Sequence, residues 1–357
     1  MNRNLFLRLF PAPDFLARRP VGVDLSDRSL KYCWQLKTFG EQLIPAGAIE
    51  GGRIKNRAAV VEVLRAAAPA FGSQYVVATL PEEPSFIFLV SLPAASRDGL
   101  RQAIELQLEE HIPLPASGVV FDYEILREPT AEDSKFKIVV SAFPKDLALE
   151  YAQVFTDAGL VLIALEGEAQ ATARALFPRA SKGATLVIDL GRTHTSFFVV
   201  VDNLSVLASS VAEIGGDFLI KAIEKSLGVT AAEAEELKNK RGLLQNQEHS
   251  LIDLLLPAIS VIRDEANKFM LYWNTQTEGD GQSQGLPAIS RVALCGGQAI
   301  LPGLVEYLSA SLGLPVEVGD VWKNILEVKL AVPPLNLDQS VRNAITIGLA
   351  LRSFNSI

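Results

Sequence analysis

Two short segments, far apart in the chain, share one pattern of apolar and polar residues. Residues 21–31 read VGVDLSDRSLK and residues 186–195 read LVIDLGRTHT, so each passes from an apolar strand through an aspartate and a polar turn. The two strands open at residues 21 and 185, about 164 residues apart, a period that indicates duplicated domains rather than a solenoid. We therefore expect two related halves that each present a turn to one shared ligand.

A third segment, residues 294–303, reads LCGGQAILPG. It predicts a strand, a Gly-Gly turn and a helix opening at Pro302, because proline suits the first turn of a helix. Apolar periodicity predicts the other elements. The predicted helices are residues 57–70, 97–111, 145–158, 217–227, 231–241, 248–273 and 339–351. The predicted strands are residues 75–80, 86–92, 119–126, 136–143, 160–165, 205–212, 290–295 and 315–318, with hairpins at 21–39 and 185–201 and a flexible loop at 279–285.

The composition limits the classes of protein to which the chain can belong. Of its 357 residues, 49% are hydrophobic and 21% charged, a balance typical of a globular protein of two or three domains. The net charge is −8 without a cluster of cations, so we expect no nucleic-acid partner. The apolar runs are shorter than the roughly 18 to 20 residues of a membrane span. The stretch Leu5–Phe10 is a poor signal peptide and fits either a docking segment or a frayed terminus.

Cysteine and histidine are sparse. Cys33 and Cys295 lie in apolar strand-like segments without a CxxC motif, which favours a reducing cytoplasm over a disulfide framework or structural zinc. His111, His194 and His249 are scattered along the chain, so we expect no histidine metal site.

The two aspartate-bearing turns have the chemistry of a phosphate site. Backbone N–H groups of such a turn can cradle phosphate, and one aspartate at a strand end can hold the water shell of Mg²⁺. Asp24 and Asp189 occupy that position. The hydroxyl groups of Ser26, Ser29, Thr193 and Thr195 and the ammonium of Lys31 complete the set. The alternative interpretation is two ordinary hairpins with polar turns.

Six motifs in this order resemble the actin-like ATPase superfamily, and specifically the PilM family of type IV pilus assembly, with FtsA a wider relative. The matching segments are Val21–Lys31, Ile112–Pro115, Asp189–Thr195, Ala234–Lys238, Gly296–Leu304 and Gly348–Arg352. The resemblance covers roughly residues 20–354. It implies a cleft between two lobes that binds ATP and Mg²⁺.

The resemblance also implies roles for individual residues. Asp24 and Asp189 would orient Mg²⁺ through water. The phosphate-binding set would be Ser26, Asp27, Ser29, Lys31, Gly191, Arg192, Thr193, Thr195, Gly215 and Gly216. The set around the ribose and adenine would be Glu235, Lys238, Gly296, Gly297 and Gln298. For Glu235 and Lys238 the alternative interpretation is a solvated helix face.

Four residues depart from the family pattern. Ser26 replaces a turn glycine, Asp27 replaces a serine, Arg192 stands where a small residue is usual, and Gln298 replaces a third glycine. Asp27 adds a negative charge beside the expected triphosphate, which lowers affinity unless the charge is paired. Arg192 would offset that charge, clasp a phosphate or fill the pocket. No general base is evident, although His194 lies in a phosphate turn and histidine is the residue type most often used as a general base. The catalytic residues are therefore unknown.

We expect an α/β chain with an actin-like (ribonuclease H-like) two-lobed fold and an inserted small α+β subdomain. The expected domains are an N-terminal segment (1–19), a first lobe (20–84), an inserted partner-binding subdomain (85–163), a return to the first lobe and linker (164–183), a second lobe (184–338) and a C-terminal helix that closes onto the first lobe (339–357).

The expected function is a cytoplasmic, actin-like, ATP-binding scaffold of the type IV pilus platform. By the resemblance, helix 97–111 and Ile112–Pro115 dock the cytoplasmic tail of a PilN-like protein, which holds the chain at the inner membrane. Pilus motor ATPases and self-association are further expected contacts. Two alternatives stay open: a degenerate nucleotide-free interaction module of a type II secretion or related pilus system, and a slow ATPase. A sugar kinase of the same fold would need a second-substrate aspartate, and none is evident.

Overall fold

The computed structural model describes residues 19–93, 99–130, 134–178, 181–202, 205–244, 251–278, 286–325 and 332–354. The strands are β1 Val21–Leu25, β2 Ser29–Trp34, β3 Thr38–Leu43, β4 Ile49–Glu50, β5 Arg53–Ile54, β6 Tyr75–Leu80, β7 Phe86–Pro93, β8 Val119–Arg127, β9 Lys135–Pro144, β10 Val161–Gly167, β11 Ala184–Leu190, β12 Thr195–Val201, β13 Ser205–Ala212, β14 Ile289–Cys295 and β15 Val316–Val318. The helices are α1 Arg57–Ala67, α2 Leu100–His111, α3 Lys145–Asp157, α4 Glu168–Leu176, α5 Gly216–Leu227, α6 Ala231–Arg241, α7 Leu251–Glu278, α8 Leu304–Leu312, α9 Trp322–Ile325, α10 Leu337–Arg342 and α11 Ala344–Phe354.

The chain divides into two compact units. Unit 1 comprises residues 1–81, 147–175 and 343–357, and unit 2 comprises residues 82–146 and 176–342. The predicted subdomain of residues 85–163 therefore contributes to both units. Strand β10 belongs to unit 1 because it pairs in parallel with β6.

The main sheets of the two units share one topology. In unit 1 the order is β10-β6-β1-β2-β3, and in unit 2 it is β15-β14-β11-β12-β13. In each sheet the opening hairpin is antiparallel, its third strand is antiparallel, and the other two strands are parallel to the first. This shared topology is the internal duplication that the two aspartate-bearing segments predict.

In unit 1, helix α11 packs on the sheet at unusually short range. A Cβ atom on Gly22 of β1 would lie 2.6 Å from the carbonyl oxygen of Thr346 in α11. A Cβ atom on Gly348 would lie 1.8 Å from the carbonyl oxygen of Ala171 in α4. The glycines at 22 and 348, both part of the motifs described above, therefore serve close packing within the unit.

A buried carboxylate lies beside this packing. Glu166, whose side chain is 7% exposed, pairs with both Arg174 and Arg352. Arg174 Nη1 also donates a hydrogen bond to the Gly348 carbonyl oxygen at 2.9 Å. Such a charge is tolerated away from water only because it is paired and hydrogen-bonded.

Unit 2 has its core between the main sheet and α7. The predicted apolar stripe of α7 is buried at Leu255, Ala258, Ile262, Ala266 and Trp273. A separate antiparallel sheet, ordered β7-β9-β8, packs against α2. The predicted inner face of α2 is buried at Leu100, Ile104 and Leu108, each at most 1% exposed.

Several predicted helix boundaries differ from the structure by a few residues; for example, α7 ends at Glu278 rather than at residue 273. Two further differences have a hydrogen bond as their cause. The helix predicted to open at Pro302 begins at Leu304, because the Pro302 carbonyl oxygen accepts a hydrogen bond from the Leu243 N–H group at 2.7 Å instead of an intrahelical donor. The predicted single helix 339–351 is two helices, α10 and α11. The carbonyl oxygen of Val341 accepts from the Gly296 N–H group at 3.2 Å, which removes an intrahelical acceptor at the break.

The predicted N-terminal segment and the loop 279–285 lie outside the described residues, apart from Arg19. Among the helices that the structure describes, none combines the length and apolar character needed to cross a bilayer.

Candidate functional site

The β11–β12 turn of unit 2 is built around a close backbone approach. Asp189 pairs in register with Ser196 and Leu190 with Thr195, so residues 191–194 close the hairpin. A Cβ atom on Gly191 would lie 2.7 Å from the His194 carbonyl oxygen, so glycine is required there. The buried Thr195 hydroxyl donates to the Ile214 carbonyl oxygen at 2.6 Å. That hydroxyl therefore holds the turn to the start of α5.

The start of α5 packs directly on this turn. The Gly216 N–H group donates to the Gly191 carbonyl oxygen at 3.1 Å, and the Asp217 N–H group donates to the Arg192 carbonyl oxygen at 2.9 Å. A Cβ atom on Gly215 would lie 2.5 Å from that same Arg192 oxygen. The N–H groups of residues 216 and 217, which a helix N-terminus could offer to an anion, are thus bonded to the turn.

Arg192 pairs with Asp217, an acidic residue outside the predicted phosphate-binding set. Its Nε donates to Asp217 Oδ1 at 2.7 Å, and its side chain is 53% exposed. Asp217 lies in the first turn of α5, where a carboxylate is favoured by the helix dipole. Arg192 therefore has an acidic partner within unit 2 and keeps about half of its side-chain surface in solvent.

The Gly-Gly turn after β14 packs against the end of β11, next to the β11–β12 turn. Gly296 has φ +84°, and a Cβ atom there would lie 2.3 Å from Asp189 Oδ1. The Gln298 N–H group donates to the Leu190 carbonyl oxygen at 3.1 Å. By contrast, the nearest atom to a Cβ on Gly297 would be Arg342 Cγ at 3.9 Å, an ordinary contact. Gly296 is needed for backbone geometry, whereas Gly297 borders open space.

Lys238 of α6 contacts the Gly-Gly turn through Gln298. Helix α6 begins with a capping box between Thr230 and Glu233, which sets the helix start. Lys238 is 1% exposed, and its Nζ donates to Gln298 Oε1 at 2.5 Å. Burial lowers the pKa of the Lys238 ammonium to about 8, although Glu235 acts in the opposite direction. Lys238 is therefore a buried cation rather than part of a solvated helix face.

Asp189 has a buried thiol as its neighbour. Burial, followed by the charge and hydrogen bonding of Asp189, raises the pKa of the Cys295 thiol well above its ordinary value. Burial likewise raises the pKa of Cys33 to about 12. Both thiols are therefore protonated at neutral pH and behave as small buried groups.

A histidine–glutamate pair adds a second group that sequence reasoning missed. His194 Nδ1 lies 3.0 Å from Glu83 Oε1, and both side chains are about four-fifths buried. The Thr193 hydroxyl lies 3.2 Å from the same ring nitrogen. No pattern in the sequence relates Glu83 to the turn more than 100 positions later.

In unit 1, the β1–β2 turn holds its aspartate in a polar, buried setting. Asp24 is 3% exposed, and the Thr79 hydroxyl donates to its Oδ1 at 3.1 Å. Lys31 Nζ lies 4.0 Å from Asp24 Oδ2. The Ser26 hydroxyl donates to the Ser29 carbonyl oxygen at 3.0 Å, which closes the turn. The turn thus uses part of its predicted ligand set for its own structure.

Asp27 has a structural partner. Its two carboxylate oxygens accept hydrogen bonds from the Gly51 and Gly52 N–H groups at 3.0 and 3.1 Å. Those glycines have φ of +54° and +69°, as a two-residue hairpin turn between β4 and β5 requires. The Tyr151 hydroxyl donates to the Gly52 carbonyl oxygen at 3.0 Å. The negative charge of Asp27 therefore serves to fix a neighbouring hairpin.

The structure brings the predicted residues together within each unit. In unit 2 the direct contacts join residues of four separate segments: 189–195, 215–217, 235–238 and 296–298. Open space at Gly297, with the Arg192, Lys238 and Arg342 cations nearby, fits an anionic nucleotide. The half-buried carboxylate of Asp189, close to this turn, fits Mg²⁺ held through water, since Mg²⁺ keeps most of its waters. Among the described residues there is no cluster of three or more His, Cys, Asp or Glu for a direct metal site.

Comparison with known proteins identifies a matching family and several solved structures with a similar fold. The family model described as type IV pilus assembly protein PilM matches residues 22–354. The PilM–PilN type IV pilus biogenesis complex contains a chain 21% identical, with a TM-score of 0.75, covering 94% of this chain and 99% of that one. For the ethanolamine utilization protein EutJ from Carboxydothermus hydrogenoformans the identity is 18%, the TM-score 0.51 and the coverage 96% and 91%. For MreB5 of Spiroplasma citri bound to ADP the values are 13%, 0.54, 94% and 96%. At these identities the likeness shows the fold, which is the actin-like α/β fold that the motifs predicted.

Proposed function

This chain belongs to the PilM family of type IV pilus assembly proteins, and from that membership we propose that it is a cytoplasmic, ATP-binding scaffold of the pilus assembly platform. The observation that carries the proposal is the convergence of four predicted segments around Gly297 and Lys238 in unit 2. A nucleotide-bound relative of the same fold, MreB5 with ADP, supports it.

Side-chain cations hold the phosphates in this proposal. The first N–H groups of α5 are bonded to the turn, so Arg192 supplies positive charge to the phosphates, and Lys238 donates to an oxygen atom of the nucleotide. Asp189 orients the water shell of Mg²⁺, and Glu235 contacts the ribose. Bound ATP–Mg²⁺ supplies binding free energy that shifts the chain toward the conformation with higher affinity for its partners.

Gly297→Val tests nucleotide binding without removing a structural contact. The added Cβ does not clash, because its nearest atom, Arg342 Cγ, is 3.9 Å away. Millimolar ATP–Mg²⁺ should raise the Tm of the natural chain and leave that of Gly297→Val unchanged, because a ligand stabilises only the state that it binds. The matched control is Gly118→Val, because its Cβ would lie 3.6 Å from Pro115 without a clash. Gly118 is also remote in sequence from the site. Equal shifts in all three proteins would refute the assignment.

The proposed partner site lies on α2 and the segment that follows it. Leu106 is 84% exposed, and the neighbouring side chains of Glu105, Glu109 and Glu110 are also exposed. Glu109 Oε1 accepts a hydrogen bond from the Ala116 N–H group at 3.0 Å, which holds the residue 112–115 segment against the helix. An apolar side chain among carboxylates suits a tail that carries both apolar and basic residues. A PilN-like inner-membrane protein is the proposed owner of that tail, supported by the solved PilM–PilN complex.

Leu106→Lys tests this docking surface. The substitution replaces an exposed apolar contact with a cation, so the affinity for a synthetic PilN-like cytoplasmic tail should fall about tenfold, measured by fluorescence anisotropy. Leu149→Lys is the matched control, because Leu149 is a 61% exposed leucine on α3 in the other unit. A loss of equal size in the control would contradict the site. The chain is then peripheral to the inner membrane through its partner, and motor ATPases and self-association remain further proposed contacts.

The nucleotide-free interaction module is the second candidate. It is favoured by the bonded N–H groups at the start of α5 and by the buried state of Lys238. A slow ATPase is the third candidate, favoured by the His194–Glu83 pair, because an imidazole held by a carboxylate has the geometry of a general base. Absence of a Tm shift supports the second candidate, and phosphate release that His194→Gln abolishes supports the third.

A further inference from the structure

The buried ammonium of Lys238 is hydrogen-bonded to a side chain whose own surface is partly in solvent. Lys238 is 1% exposed, whereas Gln298 is half-buried, and the two are joined by the 2.5 Å hydrogen bond from Nζ to Oε1. The Gln298 amide also lies over the start of α5, because a Cβ atom on Gly216 would be 2.5 Å from its Nε2. Gln298 thus fills the space between α5 and α6 directly above Lys238.

The charges that act on Lys238 leave it short of negative partners. Glu235 of α6 and Asp217 of α5 favour its charged form, while Arg342 of α10 and Arg192 of the β11–β12 turn oppose it. Arg192 is paired with Asp217, and Arg342 is paired with Asp338 at 2.6 Å. Burial outweighs the favourable charges, which is why the pKa is lowered to about 8. An anion arriving at Lys238 would correct this deficit.

We propose that Gln298 is an affinity-determining residue, which covers Lys238 and must be displaced by an oxygen atom of the nucleotide before Lys238 can bind it. This inference rests on the proposed nucleotide-binding function and adds the residue that sets its strength. The ammonium has three N–H donors, so the glutamine amide and the nucleotide oxygen compete for the space beside it that the amide fills. Removing the glutamine oxygen therefore strengthens nucleotide binding, and replacing it with a carboxylate weakens it.

The test is isothermal titration calorimetry of ADP–Mg²⁺ with the full chain and two substitutions of opposite expected sign. Gln298→Ala removes the competing acceptor and should tighten binding about tenfold, the value of roughly one charged hydrogen bond. Gln298→Glu gives Lys238 an ionic partner and should weaken binding about tenfold. Circular dichroism checks that both variants are folded. If Gln298→Ala does not fold, the sign of the Gln298→Glu effect decides.

Lys238→Met shows whether the effect of Gln298 passes through the ammonium. In the Lys238→Met background, Gln298→Ala should no longer change the affinity, because the competition has been removed. Comparing adenosine with ADP identifies the oxygen, since a gain for both points to the ribose and a gain for ADP alone points to a phosphate. Either pattern supports the proposal.

The pH dependence gives a readout that a purely structural role would not produce. A nucleotide anion beside Lys238 raises the ammonium pKa from about 8, so binding near pH 8 should take up protons and weaken at higher pH. Lys238→Met should abolish that uptake. If the natural chain binds ADP but Gln298→Ala binds no better, the inference about Gln298 is overturned and nucleotide binding stands. If no protein in the set binds, both proposals fail.

Discussion

Gly348→Ala in α11 of unit 1 should lower the free energy of unfolding, whereas helix propensity alone predicts an increase. In an isolated helix Gly→Ala stabilises by about 1 kcal/mol, because glycine loses more backbone freedom on folding. At Gly348 the added Cβ would lie 1.8 Å from the Ala171 carbonyl oxygen, whereas real Cβ contacts stay beyond 3.0 Å. Helices α4 and α11 must therefore move apart by more than 1 Å.

The cost of that movement exceeds the gain from helix propensity. Both clashing groups are backbone or Cβ atoms at a fully buried contact formed by Val77, Ala171 and Leu349, so no flexible side chain can yield. Overpacking of this kind costs about 3 kcal/mol at the upper end of the usual range. Gly348→Ala should therefore lower the free energy of unfolding by about 2 kcal/mol net.

Urea unfolding followed by circular dichroism measures this change. Gly22→Ala probes the same contact from β1, where the added Cβ would lie 2.6 Å from the Thr346 carbonyl oxygen, and should also destabilise. Gly118→Ala is the control, since its Cβ would meet only Pro115 at 3.6 Å and should leave the midpoint unchanged or slightly higher. An unchanged or increased stability of Gly348→Ala would show that the packing argument is mistaken.

Three further predictions concern charged groups. Asp27→Ala should lower the free energy of unfolding by about 1 to 3 kcal/mol through two unpaired N–H groups, without improving ATP affinity; tighter ATP binding would mean that its charge does repel the nucleotide. Glu166→Gln should lower it by about 3 kcal/mol or more in urea unfolding, because two arginines lose their shared carboxylate, and a neutral result would contradict the buried network. Because Lys238 titrates near pH 8 when folded and near 10.5 when unfolded, the unfolded state binds more protons between these values. Stability should therefore rise by up to about 3 kcal/mol from pH 8 to 10.5 relative to Lys238→Met, and parallel pH profiles would refute the burial argument.

Short-range patterns predicted the strands and helices well because burial leaves a clear mark on them. The stripe Leu100, Ile104 and Leu108 identified the buried face of α2, and the alternation over residues 21–39 identified the β1–β2 hairpin, whose second strand ends at Trp34. The repeated aspartate-bearing turn predicted two related halves, and the main sheets of the two units have matching strand orders. These features depend on residues within about one element of each other, so a single sequence contains them.

Features that depend on residues far away in the sequence were harder to predict. Asp27 looked like a charge aimed at a phosphate, yet its oxygens bind the amides of a hairpin 24 positions later. Glu83, which pairs with His194, lies in a stretch with no motif. The pattern that predicted the subdomain of residues 85–163 did not show that its last strand pairs with β6. Strand pairing depends on contacts with residues far away in the sequence.

The sequence by itself determined the fold family, the two aspartate turns and the Gly-Gly turn, because each is a local combination of strand, turn and glycine. Tertiary structure alone decided what those parts do to one another. It ended α10 by giving the Val341 carbonyl oxygen to Gly296, it placed Gln298 over Lys238, and it buried that ammonium away from water. Hydrogen bonding and desolvation act through space, so residues 60 positions apart in sequence can set the charge state and the accessibility of one another.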